Sequence, residues 1–232
     1  MRQITKFLFP AIILLAAVLR LWGLGSVPPS PDWDEAALGY NAYSLYHTGK
    51  DEYGAYLPVV LRSFDDYKPA LYMYFVIPSI QVFGLNVFAV RFPAAFFGVL
   101  AVLGTYFLVK ELFGNKKLGL VAAFLLAISP WHIQFSHAAF EASVGMAFNL
   151  FAVLFFIKGL QKPWMLFLSV LSIVFGMYVY QSEKVFAPLL FLLLVFVYRK
   201  QFFSLPKKYI AGLVVFGLVL LLPLGIYTLT NT

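Results

Sequence analysis

Seven apolar stretches, approximately residues 7–23, 88–109, 118–136, 142–157, 164–181, 185–198 and 209–228, divide the chain. Each, with its flanks, is about long enough to cross roughly 30 Å of hydrocarbon as a helix. No water-soluble core can take them all. Of the 232 residues, 62% are hydrophobic and 12% charged, against roughly 25% charged in soluble domains. Lipid must be the solvent for much of this chain. The alternating pattern of a membrane barrel is absent, so backbone polar groups must be satisfied within helices. The expectation is an all-α polytopic membrane protein, a single transmembrane domain over residues 1–232.

Charge gives the topology. Arg2 and Lys6 precede the first stretch, and Lys110, Lys116 and Lys117 lie between the second and third. Lys158 and Lys162 follow the fourth; Arg199, Lys200, Lys207 and Lys208 follow the sixth. Basic loops at alternate connections mark one cytoplasmic face. Apart from Glu111, every acid falls on the other side. The first stretch has the basic start of a secretory signal, but Arg20, Trp22 and a Pro-rich segment stand where small residues would mark cleavage. It reads as a retained transmembrane helix. The net charge of +7 is therefore that of cytoplasmic loops, and nucleic acid is not an expected partner. With no cysteine, disulfides and thiolate chemistry are excluded.

Residues 69–84 are apolar too. Counting them as a span inverts every later loop, and Pro78 interrupts them. They are expected to lie as a helix at the outer interface. Residues 24–86 then form one large non-cytoplasmic loop with interfacial helices, and long ordered loops usually carry function. Within it, Asp32 and Glu35 fit a capping box, D-x-x-E, at the start of a Tyr-rich helix. Asp34 and Glu35 beside Trp33 also fit a catalytic acid pair. Further on, Arg62 and Lys68 suit a phosphate, and Asp65 or Asp66 a sugar hydroxyl or a divalent ion. Both groups also fit a solvated turn.

Two shorter outer loops carry charge. One holds His132, His137 and Glu141; it lacks the HExxH form, and His132 is out of helical step with the other two. The other holds Gln181, Glu183 and Lys184, which read equally as a surface pair or as lining a cavity with the main loop.

Several motifs occur in a set order: Asp34-Glu35 after the first span, a Tyr-rich helix, Lys68-Pro69 before an aromatic stretch, FGxNxFAxR from Phe83 to Arg91, the basic loop ELFGNKK, and Glu141 opening a helix after the third span. In this order they resemble the GT-C membrane glycosyltransferases, in particular the group of protein O-mannosyltransferases and the bacterial lipid A aminoarabinose transferase. The resemblance implies a polyprenyl-phosphate sugar donor and transfer on the non-cytoplasmic face of a bacterial or archaeal cell membrane. It implies Asp34 as catalytic aspartate, Lys68 near the donor phosphate and Glu141 as a second acidic position. Around them Glu35, Arg62, Asp65, Asp66, Arg91, His137, Glu183 and Lys184 are candidate substrate-binding residues. Asp66 and Glu141 are the candidate ligands for a divalent metal ion. In the aminoarabinose transferase an acid directly precedes the lysine; here Tyr67 stands there, with Asp66 one residue earlier. Chains of this family are generally longer, so residues 1–232 are expected to match its N-terminal part.

The expected reaction is inverting transfer of a hexosyl or pentosyl unit to an acceptor that is a glycan, a lipid or a protein, with membrane lipid as the surrounding partner. Two other classes compete. A transporter or lipid-translocating protein needs ionisable groups at midplane and often internal repeats; the ionisable residues here sit near the interfaces, and no clear repeat is visible. A non-catalytic subunit of a membrane enzyme complex is the third class.

Overall fold

The computed structural model describes residues 2–230, with side chains from residue 7 onward; the side chains of Arg2 and Lys6 lie outside the described residues. The order is α1 (Arg2–Leu21), α2 (Trp33–Thr48), β1 (Val60–Ser63), β2 (Asp66–Pro69), α3 (Leu71–Phe83), α4 (Val87–Phe113), α5 (Lys116–Ala127), α6 (Pro130–Ser136), α7 (Glu141–Gly159), α8 (Met165–Val179), α9 (Glu183–Val197), α10 (Arg199–Phe203) and α11 (Lys207–Thr230). Each of the seven apolar stretches is helical. Among the described residues α4, α7 and α11 are long and apolar enough to span alone. The pair α5 and α6 makes a fourth if counted as one bent span.

That pair corrects one expectation. Residues 118–136 are not one helix: α5 and α6 meet at 61°. Pro130 disfavours helical backbone at Ser129, and the Ser129 side chain caps α6 instead. The break orphans carbonyls at the end of α5. Arg20, fully buried on α1, donates to the Leu126 and Ala127 carbonyls at 3.1 Å each and meets His132 Nδ1 at 2.7 Å. The histidine expected as a loop residue thus belongs to a buried brace.

Local chemistry starts the other elements. Asp32 and Glu35 form the expected capping box on α2, and Gly49 ends that helix in the left-handed region at φ 72°. The Asn86 side chain accepts the Ala89 N–H and starts α4. Residues 69–84 yield α3, which at 13 residues is about 20 Å long, short of the hydrocarbon thickness.

The β1–β2 hairpin is the element that hydropathy does not announce. Its two-residue turn has Phe64 and Asp65 at φ 49° and 66°, as a type I′ turn requires. Pairing Leu61 with Lys68 and Arg62 with Tyr67 sets the faces. Alternation turns Lys68 inward beside the buried Leu61 and leaves Tyr67 exposed. The hairpin, α2, α3 and α4 share one apolar core that includes Leu38, Leu61, Tyr72, Val76 and Ala94. This core fixes the hairpin against α2 and thereby positions the site.

Candidate active site

A cavity of about 400 Å³ lies where α2, the hairpin, the start of α7 and the end of α8 converge. Asp34, Asp66, Lys68 and Glu141 line it, with Phe140 and Tyr180 among its apolar and aromatic walls. Asp34 and Lys68 form an ion pair across the gap between α2 and β2. Asp66 Oδ2 stands 3.8 Å from Lys68 Nζ. Glu141 opens α7, and its Oε1 is buried with no hydrogen-bond partner. Three carboxylates and one ammonium thus face a single space. A larger cavity of about 450 Å³, between α3 and α4, is walled by apolar side chains such as Phe75, Phe92 and Phe96 and has no ionisable lining. Of these two cavities, the former holds the charged groups.

Glu35 follows Asp34 in sequence and goes elsewhere. One residue turns the helix by about 100°, which points Glu35 into the protein. Its carboxylate accepts from Arg91 Nε at 2.7 Å and Nη2 at 2.8 Å, and from the Ala139 N–H at 2.9 Å. Burial alone raises such a carboxyl, but Arg91 and the Ala139 and Asp32 N–H groups outweigh it and hold Glu35 below its ordinary 4.5. Arg91 is 0% exposed and spends its remaining donors on the Leu24, Pro28 and Ser30 carbonyls at 3.2, 2.9 and 3.1 Å. It ties the Pro-rich segment and α2 to α4, and no donor is left for a phosphate. Glu35 and Arg91, both expected as substrate-binding residues, bind each other and the backbone here and do not line the cavity.

The other candidates are also not brought to the cavity. His137 is buried, its ring nitrogens 2.9 Å from the Leu19 carbonyl and 3.2 Å from that of Val27. Glu183 is buried against Asn149, whose Nδ2 lies 2.8 Å from each carboxylate oxygen. Lys184 is half-buried one residue on. Arg62 pairs with Asp65 near the exposed hairpin tip and stacks over Tyr53 at 4.7 Å. Of Gln181, Glu183 and Lys184, only Gln181 lines the cavity. Phe140 and Tyr180 escaped sequence reading, because an aromatic in so aromatic a chain carries no local signal.

The donor set does not fit a divalent ion. Although three carboxylates face the cavity, among the described residues no three or more His, Asp or Glu come close enough together to hold one metal ion. The Lys68 ammonium lies between Asp34 and Asp66, where a cation would otherwise go. Among the described residues, Asp66 and Glu141 therefore lack the further ligands a divalent ion needs.

A family profile described as dolichyl-phosphate-mannose-protein mannosyltransferase matches residues 67–227. The chain belongs to this family. Lys68 and Glu141 fall within the matched part of the mannosyltransferase profile; Asp34 precedes it and joins through the ion pair. Among solved structures, ArnT from Cupriavidus metallidurans in the apo state has a TM-score of 0.75 at 14% identity, with 97% of this chain and 42% of that chain covered. The same protein bound to undecaprenyl phosphate matches at 0.75 and 13%, with the same coverage. This chain therefore spans about two fifths of their length and shares their GT-C fold. None of the curated proteins matches it.

Proposed function

We propose that the protein transfers a sugar from a polyprenyl-phosphate donor to an acceptor hydroxyl on the non-cytoplasmic face, with inversion at the anomeric carbon. The observation that carries this reading is the Asp34–Lys68 pair at the cavity. It sets a carboxylate able to take a proton beside a cation able to hold a phosphate. Family membership and the ArnT structure that holds undecaprenyl phosphate support the donor class.

In the proposed step the donor phosphate competes for Lys68 and releases Asp34. The acceptor oxygen attacks the anomeric carbon as the bond from that carbon to the phosphate oxygen breaks. The hydroxyl proton passes to Asp34, and polyprenyl phosphate leaves with its charge on Lys68. One displacement at one carbon inverts it. Glu141, with an oxygen free of protein partners, binds a sugar or acceptor hydroxyl. Asp66 keeps Lys68 oriented. The apolar cavity between α3 and α4 suits an isoprenoid tail. The acceptor is a glycan, a lipid or a protein hydroxyl.

The test is release of polyprenyl phosphate from a labelled polyprenyl-phosphate sugar by the purified chain in detergent. Loss of general-base assistance in Asp34→Asn should slow release by about 10²–10⁴-fold, and Lys68→Met by about 10²–10³-fold, with folding retained. Full activity in a folded Asp34→Asn protein sinks the assignment. No release by the wild-type chain favours a transporter or a non-catalytic subunit.

A further inference from the structure

The opposite end of the bundle presents a second charged site. α9 leaves the cavity region just after Gln181 and runs 15 residues, about 22 Å, to Val197. α7 runs the same way, from Glu141 at the cavity to Gly159. Near its far end Phe156 stacks on Phe202 of α10, with centroids 5.9 Å apart and planes at 7°. The turn from α9 through α10 to α11 is thereby anchored at the far end, level with the start of a 24-residue spanning helix.

This turn reads YRKQFFSLPKKY. Arg199, Lys200, Lys207 and Lys208 are all exposed, and none is in an ion pair among the described residues. No acid follows Glu183 in the sequence. Arg199 lies over Phe196 at 5.2 Å and Lys208 over Tyr209 at 5.6 Å, which holds both cations against aromatic faces. Phe203, between the two basic pairs, is 67% exposed. The neighbouring cations at this end differ: Lys158 is 3.9 Å from Glu111, and Lys110 and Lys158 both face the Phe107 ring. Unneutralised cations around an anchored short helix with an outward phenyl ring form an interfacial arrangement: the ring sits among acyl chains and the cations among headgroup phosphates.

We propose that this turn is a binding site for the phosphodiester headgroup of an anionic phospholipid in the leaflet opposite the Asp34 cavity. Charge complementarity selects the anionic headgroup over a zwitterionic one, whose own cation offsets its phosphate. The bound lipid secures α11, whose spanning window is only 11% buried within the protein.

The chain is purified in non-ionic detergent and titrated with dioleoyl-phosphatidylglycerol, dioleoyl-phosphatidylcholine or inorganic phosphate, with binding read by native mass spectrometry and stability by thermal shift. Phosphatidylglycerol should bind and raise the melting temperature; the other two should not. Changing Arg199, Lys200, Lys207 and Lys208 together to Gln should weaken phosphatidylglycerol binding on the order of a hundredfold. Changing Lys116, Lys117 and Lys162 to Gln should leave it within about threefold. If the quadruple variant does not fold, Arg199→Gln/Lys200→Gln and Lys207→Gln/Lys208→Gln separately should each weaken binding about tenfold. Unchanged binding in these variants, equal loss in the Lys116, Lys117 and Lys162 variant, or displacement of the lipid by inorganic phosphate overturns the proposal.

Discussion

Replacing Arg91 by Met separates a framework residue from a ligand of the donor phosphate. The guanidinium donates to both oxygens of Glu35 and to three carbonyls, all within 3.2 Å, at a site with no exposure. Met fills much of the same volume but leaves the Glu35 carboxylate buried without its cation. Breaking a buried pair from one side costs about 3–5 kcal/mol, and the Leu24, Pro28 and Ser30 carbonyls lose their donor as well. For a chain of this size that lowers the thermal midpoint by about 6–20 °C. The assay is thermal unfolding in detergent, beside polyprenyl-phosphate release. The double variant Glu35→Met/Arg91→Met removes both charges and should be less destabilised than Arg91→Met alone, because no unpaired carboxylate remains. If Arg91→Met keeps wild-type stability and loses only activity, the framework assignment is wrong and Arg91 is a ligand.

Three further outcomes follow from the geometry. Glu35 titrates below its ordinary 4.5 in the folded chain, so its contribution is fully present above about pH 4.5 and fades as pH falls through the folded value; thermal midpoints measured from pH 7 down to pH 3 should fall in that acid window, and less steeply in the double variant. Gly98→Ala builds a Cβ 2.3 Å from Ser136 Oγ and 3.0 Å from the buried Arg20 Cδ, so α4 must move from α6 at about 1–3 kcal/mol, seen as a lower midpoint. Arg62→Ala breaks an exposed pair, with side chains 44% and 81% accessible, and an exposed contact over the Tyr53 ring; solvent screens both, so the thermal midpoint should hardly move, and a clear drop shows that the hairpin depends on them.

Within the site, legibility ran residue by residue. Asp34 and Lys68 stood out as charges beside an interface and as motif positions, and both line the cavity. Arg91 stood out equally and lies in the core, since a buried cation and a phosphate-binding one look alike until their partners are known. Gln181, Glu183 and Lys184 share one short charged segment of the sequence, yet of the three only Gln181 lines the cavity; the helix that begins at Glu183 turns its carboxylate toward Asn149.

The apolar stretches by themselves determine that the chain is helical and membrane-embedded, because hydrocarbon leaves the backbone no other partner. Local side chains also set several helix starts: Asp32, Asn86 and Ser129 cap their own helices within a few residues. Neighbouring residues cannot decide which of two adjacent acids meets a distant cation. Asp34 and Glu35 have nearly the same chemistry and the same local setting. Tertiary packing gives the first to Lys68, carried in on a hairpin, and the second to Arg91, which stands 56 residues further on. A charge buried far from its partner in sequence is stabilised only when the whole fold brings the two together, so the division between the acid at the cavity and the acid in the core exists only in the folded chain.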